Sequence, residues 1–104
     1  MLAPIVKDNL EEINKLLRKH KVKRAFAFGS VCDNRFTETS DVDILLSFYD
    51  EKISLEEYAD NYFDLAYQLE DLLGRDVDLV TERSIKDPLL IKSINKTKTP
   101  IFGE

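Results

Sequence analysis

Three aspartates and a Gly-Ser pair carry the chemistry open to this sequence. Asp41 and Asp43 are one residue apart, so on a β-strand both carboxylates project from one face while Val42 and Ile44 occupy the other. Two unit charges about 4 Å apart repel by roughly 4 kcal/mol at an effective dielectric of 20. A hard divalent cation removes that cost, because Mg²⁺ prefers carboxylate oxygens and leaves its remaining positions to water or substrate phosphates. Gly29-Ser30 ends an apolar run, at a point where a residue without Cβ lets a ligand approach the backbone and free N–H groups can hold phosphate oxygens. Asp78 lies between Val77 and Leu79 in another apolar run and opposes their face, so a neighbouring strand would bring it beside Asp41 and Asp43. Asp76 shares that face but sits nearer the start of the run, which makes it the weaker third carboxylate. The pattern is that of a metal-phosphate site.

Periodicity and punctuation give the elements that must position these residues. Pro4 suits a first helical turn, and Ile5, Val6, Leu10, Ile13, Leu16 and Leu17 recur at helical spacing, which predicts one helix over 4–19. His20 follows at the end of that helix, where the dipole favours an imidazolium; a catalytic role for this lone histidine is the minor reading. Residues 22–28 read as a strand with Phe26 and Phe28 directed into the core, and 30–34 as a helical turn facing the phosphates. A polar loop over 35–40 leads to a strand over 41–47, whose Ile44-Leu45-Leu46 run predicts burial on both faces and a central place in the sheet. Ser54 and Glu57 form a capping box that opens a helix running to Leu73, with Gly74 as its cap. Its apolar stripe is Leu55, Tyr58, Ala59, Tyr62, Leu65, Ala66, Leu69 and Leu72, read as core or partner contact. A strand over 75–81, a helix over 88–95 opened by Asp87-Pro88, and a final short strand over 99–102 complete the chain. The fold class is α/β (α+β): a single domain over 1–104 with a small mixed sheet flanked by helices.

Composition narrows the function classes. A chain of 104 residues can bury about two-thirds of its unfolded surface, enough for one core but not for a second lobe to grip a polymer. The net charge of −5 gives no broad footprint for a polyanion, and Lys19, Lys21, Lys23 and Arg24 read as a helix end and a solvated strand start, so long nucleic acid is not an expected partner. A lone cysteine, Cys32, excludes an internal disulfide and fits a reducing cytosol. With no signal-like or membrane-length apolar run, the expectation is a cytoplasmic protein without a membrane partner.

The spacing Gly29-Ser30, ten residues, Asp41, one residue, Asp43 resembles the Gly-Ser-x10-Asp-x-Asp signature of the nucleotidyltransferase superfamily of polymerase β. At residue frequencies of ~5 to 7 % each, that match arises by chance in about one chain of this length in a thousand. With Val77-Asp78-Leu79-Val80 downstream, nearly the whole chain resembles the minimal nucleotidyltransferase (MNT) family, whose members occur as antitoxins paired with HEPN ribonuclease toxins. The resemblance implies a palm-like core in which Asp41, Asp43 and Asp78 bind two Mg²⁺ and carry catalysis, while Gly29 and Ser30 hold the triphosphate of ATP. It also implies transfer of AMP to a tyrosine hydroxyl of a HEPN-type toxin, and hence a hetero-oligomer. Many family members follow Gly-Ser with Arg-Gly, where this chain has Asp33-Asn34; a carboxylate there repels a triphosphate, and Arg35 is the candidate substitute. Two alternatives stand beside this reading. One is a non-catalytic module that neutralises its partner by contact, and the other is a small-molecule (antibiotic) nucleotidyltransferase, which would need an acceptor pocket from another domain or subunit.

Overall fold

A computed structural model describes residues 2–103. The elements are α1 (Pro4–Lys7), α2 (Leu10–Lys19), β1 (Val22–Phe28), β2 (Val42–Phe48), α3 (Leu55–Leu73), β3 (Val77–Thr81), α4 (Pro88–Thr97) and β4 (Thr99–Gly103). Short 3-10 turns occupy Gly29–Cys32, Asp50–Lys52 and Glu82–Ser84. The strands form one mixed sheet in the order β3-β2-β1-β4, with β1 antiparallel to both neighbours and β2 parallel to β3. The fold class read from the sequence holds. None of the described helices is long and apolar enough to cross a membrane.

β2 has the most buried sequence pattern and sits inside the sheet. Val42, Ile44, Leu46 and Phe48 face α2 and α3, where Ile13, Leu17, Leu65, Leu69 and Leu73 complete the core. Burying each of the larger aliphatic side chains contributes about 1.5–3 kcal/mol. Leu45 is buried too, but on the opposite face, beside Ile91 and Ile94 of α4. The sheet is therefore covered by α2 and α3 on one face and by α4 in part on the other.

The register corrects one expectation. Ala25 and Ala27, not Phe26 and Phe28, point into the main core, because they stand opposite Leu46 and Ile44 on β2. Residues paired across a sheet share a face, so the fully buried Ile44 and Leu46 select the two alanines. Phe26 and Phe28 lie half-buried on the α4 side, with Lys98 Nζ 4.8 Å from the Phe26 ring centroid. Alternation in β1 is apolar on both faces and cannot by itself choose between them.

The expected helix over 4–19 is two helices. Asn9 interrupts it: its side-chain Nδ2 donates to the Ile5 carbonyl at 2.8 Å, a local bond that competes with helix continuation. The 55–73 helix keeps its expected ends, with Ser54 Oγ accepting from Glu57 N–H and Gly74 in the left-handed region. Its stripe is narrower than expected. Leu65, Leu69 and Leu73 are buried, whereas Leu55 is 90 % exposed.

His20 is buried at the end of α2. Its ring nitrogens Nδ1 and Nε2 lie 2.7 Å from the Leu16 carbonyl and the Asp64 carboxylate respectively. Asn61 Nδ2 reaches the His20 carbonyl at 2.9 Å, so the histidine ties α2 to α3. It stands with the helices that cover the core, on the face away from the aspartates.

Lys21 follows with φ +64°, the left-handed conformation in which a helix is usually ended by glycine. A side chain there costs about 1–2 kcal/mol, of which glycine's greater unfolded-state freedom takes back part. Lys21→Gly is expected to stabilise the protein by about 0.5–1 kcal/mol in urea unfolding; a loss of stability would show that the lysine side chain carries a native contact worth more than the strain.

Candidate active site

Two strand registers assemble the site. Asp43 stands opposite Phe28 on β1 and opposite Asp78 on β3. Neighbouring strands lie about 4.8 Å apart, so Asp43 and Asp78 share the α4 face of the sheet at neighbouring positions. Asp41 precedes β2 and is exposed, and Asp76 similarly precedes β3, where its carbonyl accepts from Val42 N–H at 3.0 Å.

Gly29 closes the third side. A Cβ at this residue would lie 2.6 Å from Asp43 Oδ2, and φ is +75°, so both space and conformation call for glycine. Its N–H is not available to a phosphate, because it donates to Thr97 Oγ1 at 2.8 Å. Gly29 therefore acts by letting the chain pass against Asp43, with Thr97 at the end of α4 fixing the turn. Ser30, half-buried in the same 3-10 turn, is next to it.

Asp43 is the electrostatic focus. Burial first, then the charges of Asp78 and Asp41, push its carboxyl up to about 6, and no compensating cation or donor pulls it down. Tyr62, whose hydroxyl donates to the Leu79 carbonyl, is raised as well, by burial first and then by Asp78 and Tyr58.

Two residues outside the sequence motif hold the backbone beside the aspartates, one at the loop before Asp41 and one at Gly29. Arg75 Nη1 donates to the carbonyls of Thr37 at 2.7 Å and Ser40 at 3.1 Å, and its guanidinium carbon lies 4.6 Å from the Phe36 ring centroid. Thr97 is the other. Arg75 had a weak sequence signal, being the residue just after the Gly74 cap; Thr97 had none, since its partner is 68 residues away.

Arg35 is not gathered with the aspartates. Its Nε and Nη2 contact Asp33 Oδ2 at 2.9 and 2.8 Å, which holds the Asp33 carboxyl below the usual range. The Asp33 charge is thereby offset within its own loop. The Arg35 charge is spent there rather than directed to the Gly29–Cys32 turn.

The donor set fits Mg²⁺. It consists of hard carboxylate oxygens lacking a positive neighbour, and among the described residues no group of three or more His, Cys, Asp or Glu side chains is placed to hold a metal ion by itself. An open arrangement of that kind suits an ion that takes one or two carboxylates plus substrate phosphates.

Two outcomes follow. The folded Asp43 carboxyl binds its proton more tightly than the unfolded chain does, so the metal-free protein loses stability as pH rises from about 4 through 6. The gap from 3.8 to about 6 corresponds to about 3 kcal/mol, which solvent screening at a half-buried carboxyl reduces to about 1–2 kcal/mol. Asp43→Asn is thus expected to raise metal-free stability by about 1–2 kcal/mol at pH 7.5 and not at pH 4, read by urea unfolding; destabilisation at pH 7.5 would reveal an unrecognised partner. Gly29→Ala should lower stability by about 1–2 kcal/mol through backbone strain and the contact with Asp43, and an unchanged midpoint would show that the turn adapts.

Comparison with known proteins places these residues in a family context. The family model described as polymerase beta, nucleotidyltransferase, matches residues 11–104. A Methanocaldococcus jannaschii protein, provisionally named a protein adenylyltransferase, is 44 % identical over 92 residues, covering 88 % of this chain and 89 % of that one. A crystal structure of a toxin-antitoxin with AMP-PNP contains a chain that is 31 % identical with a TM-score of 0.72, over 92 % of this chain and 74 % of that one. The structure of a tri-AMPylated Shewanella oneidensis HEPN toxin in complex with MNT antitoxin contains a chain that is 28 % identical with a TM-score of 0.66, over 94 % and 72 % of the two chains. The Gly-Ser turn, the in-register aspartates and a family match that spans most of the sequence lead to one assignment: the chain belongs to the polymerase β nucleotidyltransferase family, with the fold of its minimal members.

Proposed function

We propose that this chain is an antitoxin-type protein adenylyltransferase, transferring AMP from ATP to a tyrosine hydroxyl of a HEPN-type ribonuclease toxin in the cytoplasm. The observation that carries the reading is the placement of Asp43 beside Asp78 and against Gly29, a site built to need cations and phosphates. The relatives named for protein adenylylation and the AMP-PNP and tri-AMPylated complexes support the donor and the acceptor class. Leu89, Leu90 and Ile91 are exposed on α4, which covers the same sheet face as the aspartates, and an apolar surface there suits a protein acceptor better than a small molecule.

In this reading Asp41, Asp43 and Asp78 hold two Mg²⁺. Bound there, the ions supply charge neutralisation for the triphosphate and acidify the incoming hydroxyl. The Gly29-Ser30 turn positions the phosphates. The tyrosine oxygen forms its bond to the α-phosphorus as the bond to the β-phosphate bridging oxygen breaks, pyrophosphate leaves, and Asp78 accepts the phenolic proton. Positioning and electrostatics carry the rate, with no covalent enzyme intermediate.

The Arg35–Asp33 pair favours one further reading, a module that neutralises its partner by binding alone, since the loop cation nearest the phosphate turn is already engaged. An exposed pair of this kind contributes at most about 1 kcal/mol, so a bound triphosphate could displace it. The deciding measurement is the intact mass of a HEPN-type protein from the same genome after incubation with this chain, ATP and Mg²⁺. Increments of AMP are expected, with Asp41→Asn/Asp43→Asn reducing transfer at least about 100-fold. Undiminished transfer by that variant would refute the site; a stable complex without any increment would establish the binding module.

A further inference from the structure

A cavity of about 850 Å³ opens at the other end of β1 from the aspartates, between the end of α2, the turn after β2 and β4. Arg18, Lys21, Lys23 and Lys52 line it, and none of its lining residues is acidic, although Asp and Glu outnumber Lys and Arg by 20 to 15 in the chain. Among the described residues none of these four cations has an ion-pair partner, whereas Arg24, Arg35 and Arg83 are each held by a carboxylate. Convergence of unpaired like charges opposes folding unless an anion offsets it.

The walls also supply flat apolar faces. Lys52 Nζ lies 4.7 Å from the Tyr49 ring centroid, and the Arg18 guanidinium carbon lies 5.6 Å from that of Phe102. Cations set beside aromatic rings suit a ligand that joins phosphates to a base. Asn14, on the same wall, holds a buried side-chain oxygen with no hydrogen-bond partner, so its amide is not fixed by protein contacts. Lys21 has a left-handed backbone at φ +64°, and its Nζ donates to the Lys52 carbonyl at 3.2 Å, which sets these two cationic residues side by side.

We propose that this cavity is a second phosphate-binding site, taking the phosphates of a nucleotide, free or at the end of a short oligonucleotide, independently of the Asp41, Asp43 and Asp78 site. From Lys23 to Phe28 the strand advances about 17 Å, so phosphates held here are remote from the aspartates. The cavity's volume is within the usual range for small-ligand pockets, about 300–1,000 Å³.

The test uses the full chain in EDTA, where the metal-free aspartates repel phosphate. Calorimetric titrations with ATP, inorganic tripolyphosphate and 5′-phosphorylated tetra-adenylate are expected to show saturable sub-millimolar binding that weakens with salt. Lys23→Glu/Lys52→Glu should weaken it at least about tenfold. Asp41→Asn/Asp43→Asn should leave it in place. Lys21→Gly should weaken binding while raising the unfolding temperature by a few degrees, which separates loss of the ligand from loss of the fold. Tighter binding of ATP than of tripolyphosphate assigns the base to Tyr49 and Phe102; tighter binding of the oligonucleotide than of ATP makes a strand end the source. Absence of saturable binding by all three probes, loss of binding in the aspartate variant, or indifference to the lysine reversals would overturn the proposal. Preference for polyglutamate over every phosphate probe would overturn it in favour of an acidic peptide.

Discussion

The carboxylate of Asp43 is held where it is least comfortable. It is half-buried, faces Asp78 across the parallel pair, has Asp41 two residues behind it, and has the Gly29 backbone pressed against its oxygen. The scaffold has to keep these groups together against their repulsion, so the stabilising work is done on the other face. Ile44 and Leu46, the alternate residues of the same strand, are fully buried against the helices and fix β2 in register. A shift of one residue would turn them toward α4 and Asp43 into the core, a much larger loss than the repulsion it relieved. The hydrophobic register thus enforces the electrostatic strain.

The two faces of the sheet divide the labour. α2 and α3 cover the core face, and the His20–Asp64 contact and the Asn61 bond tie them together on the side away from the carboxylates. The α4 face is thinly covered and carries the carboxylates. The Gly29–Thr97 bond ties α4 to the phosphate turn, and Ile91 and Ile94 lie beside Leu45. Openness of this kind is what a transferase needs when the acceptor is a macromolecule that brings its own surface. The same openness leaves the aspartates without built-in counter-charge, so in the proposed function nucleotide and metal would complete the site structurally as well as chemically.

Much of this was legible in the residues, and what was not has physical causes. Strand alternation placed Asp78 on the face opposite Val77 and Leu79, and the structure sets it in register with Asp43. The capping box and glycine cap fixed both ends of α3 because those signals are local. The inward direction expected of Phe26 and Phe28 fails because β1 is apolar on both sides, and only the partner strand decides which side is core. The break at Asn9 depends on a side-chain bond four residues back that competes with an otherwise good helical pattern. The Gly29-Ser30 pair suggests free N–H groups for phosphates, yet the Gly29 N–H is engaged by Thr97, a pairing between distant residues that no local rule reveals. The spacing makes Arg35 a candidate phosphate clamp, yet the Asp33 carboxylate two residues before it engages the guanidinium.

Net charge was the least informative of the sequence quantities. A value of −5 describes a chain whose acidic and basic groups are separated in space: aspartates crowd one end of the sheet, and unpaired cations line the cavity at the other. The potential felt by an approaching ligand depends on that separation and not on the sum, and at physiological salt it decays over about 8 Å. Along β1 the two ends are farther apart than this, so each acts on its surroundings nearly independently of the other. An anion arriving at the lysine end would not be warned off by the aspartates, and a cation arriving at the aspartate end would not be repelled by the lysines. Two opposite electrostatic environments can therefore coexist on one small sheet, and the rigid strand between them is what keeps them apart.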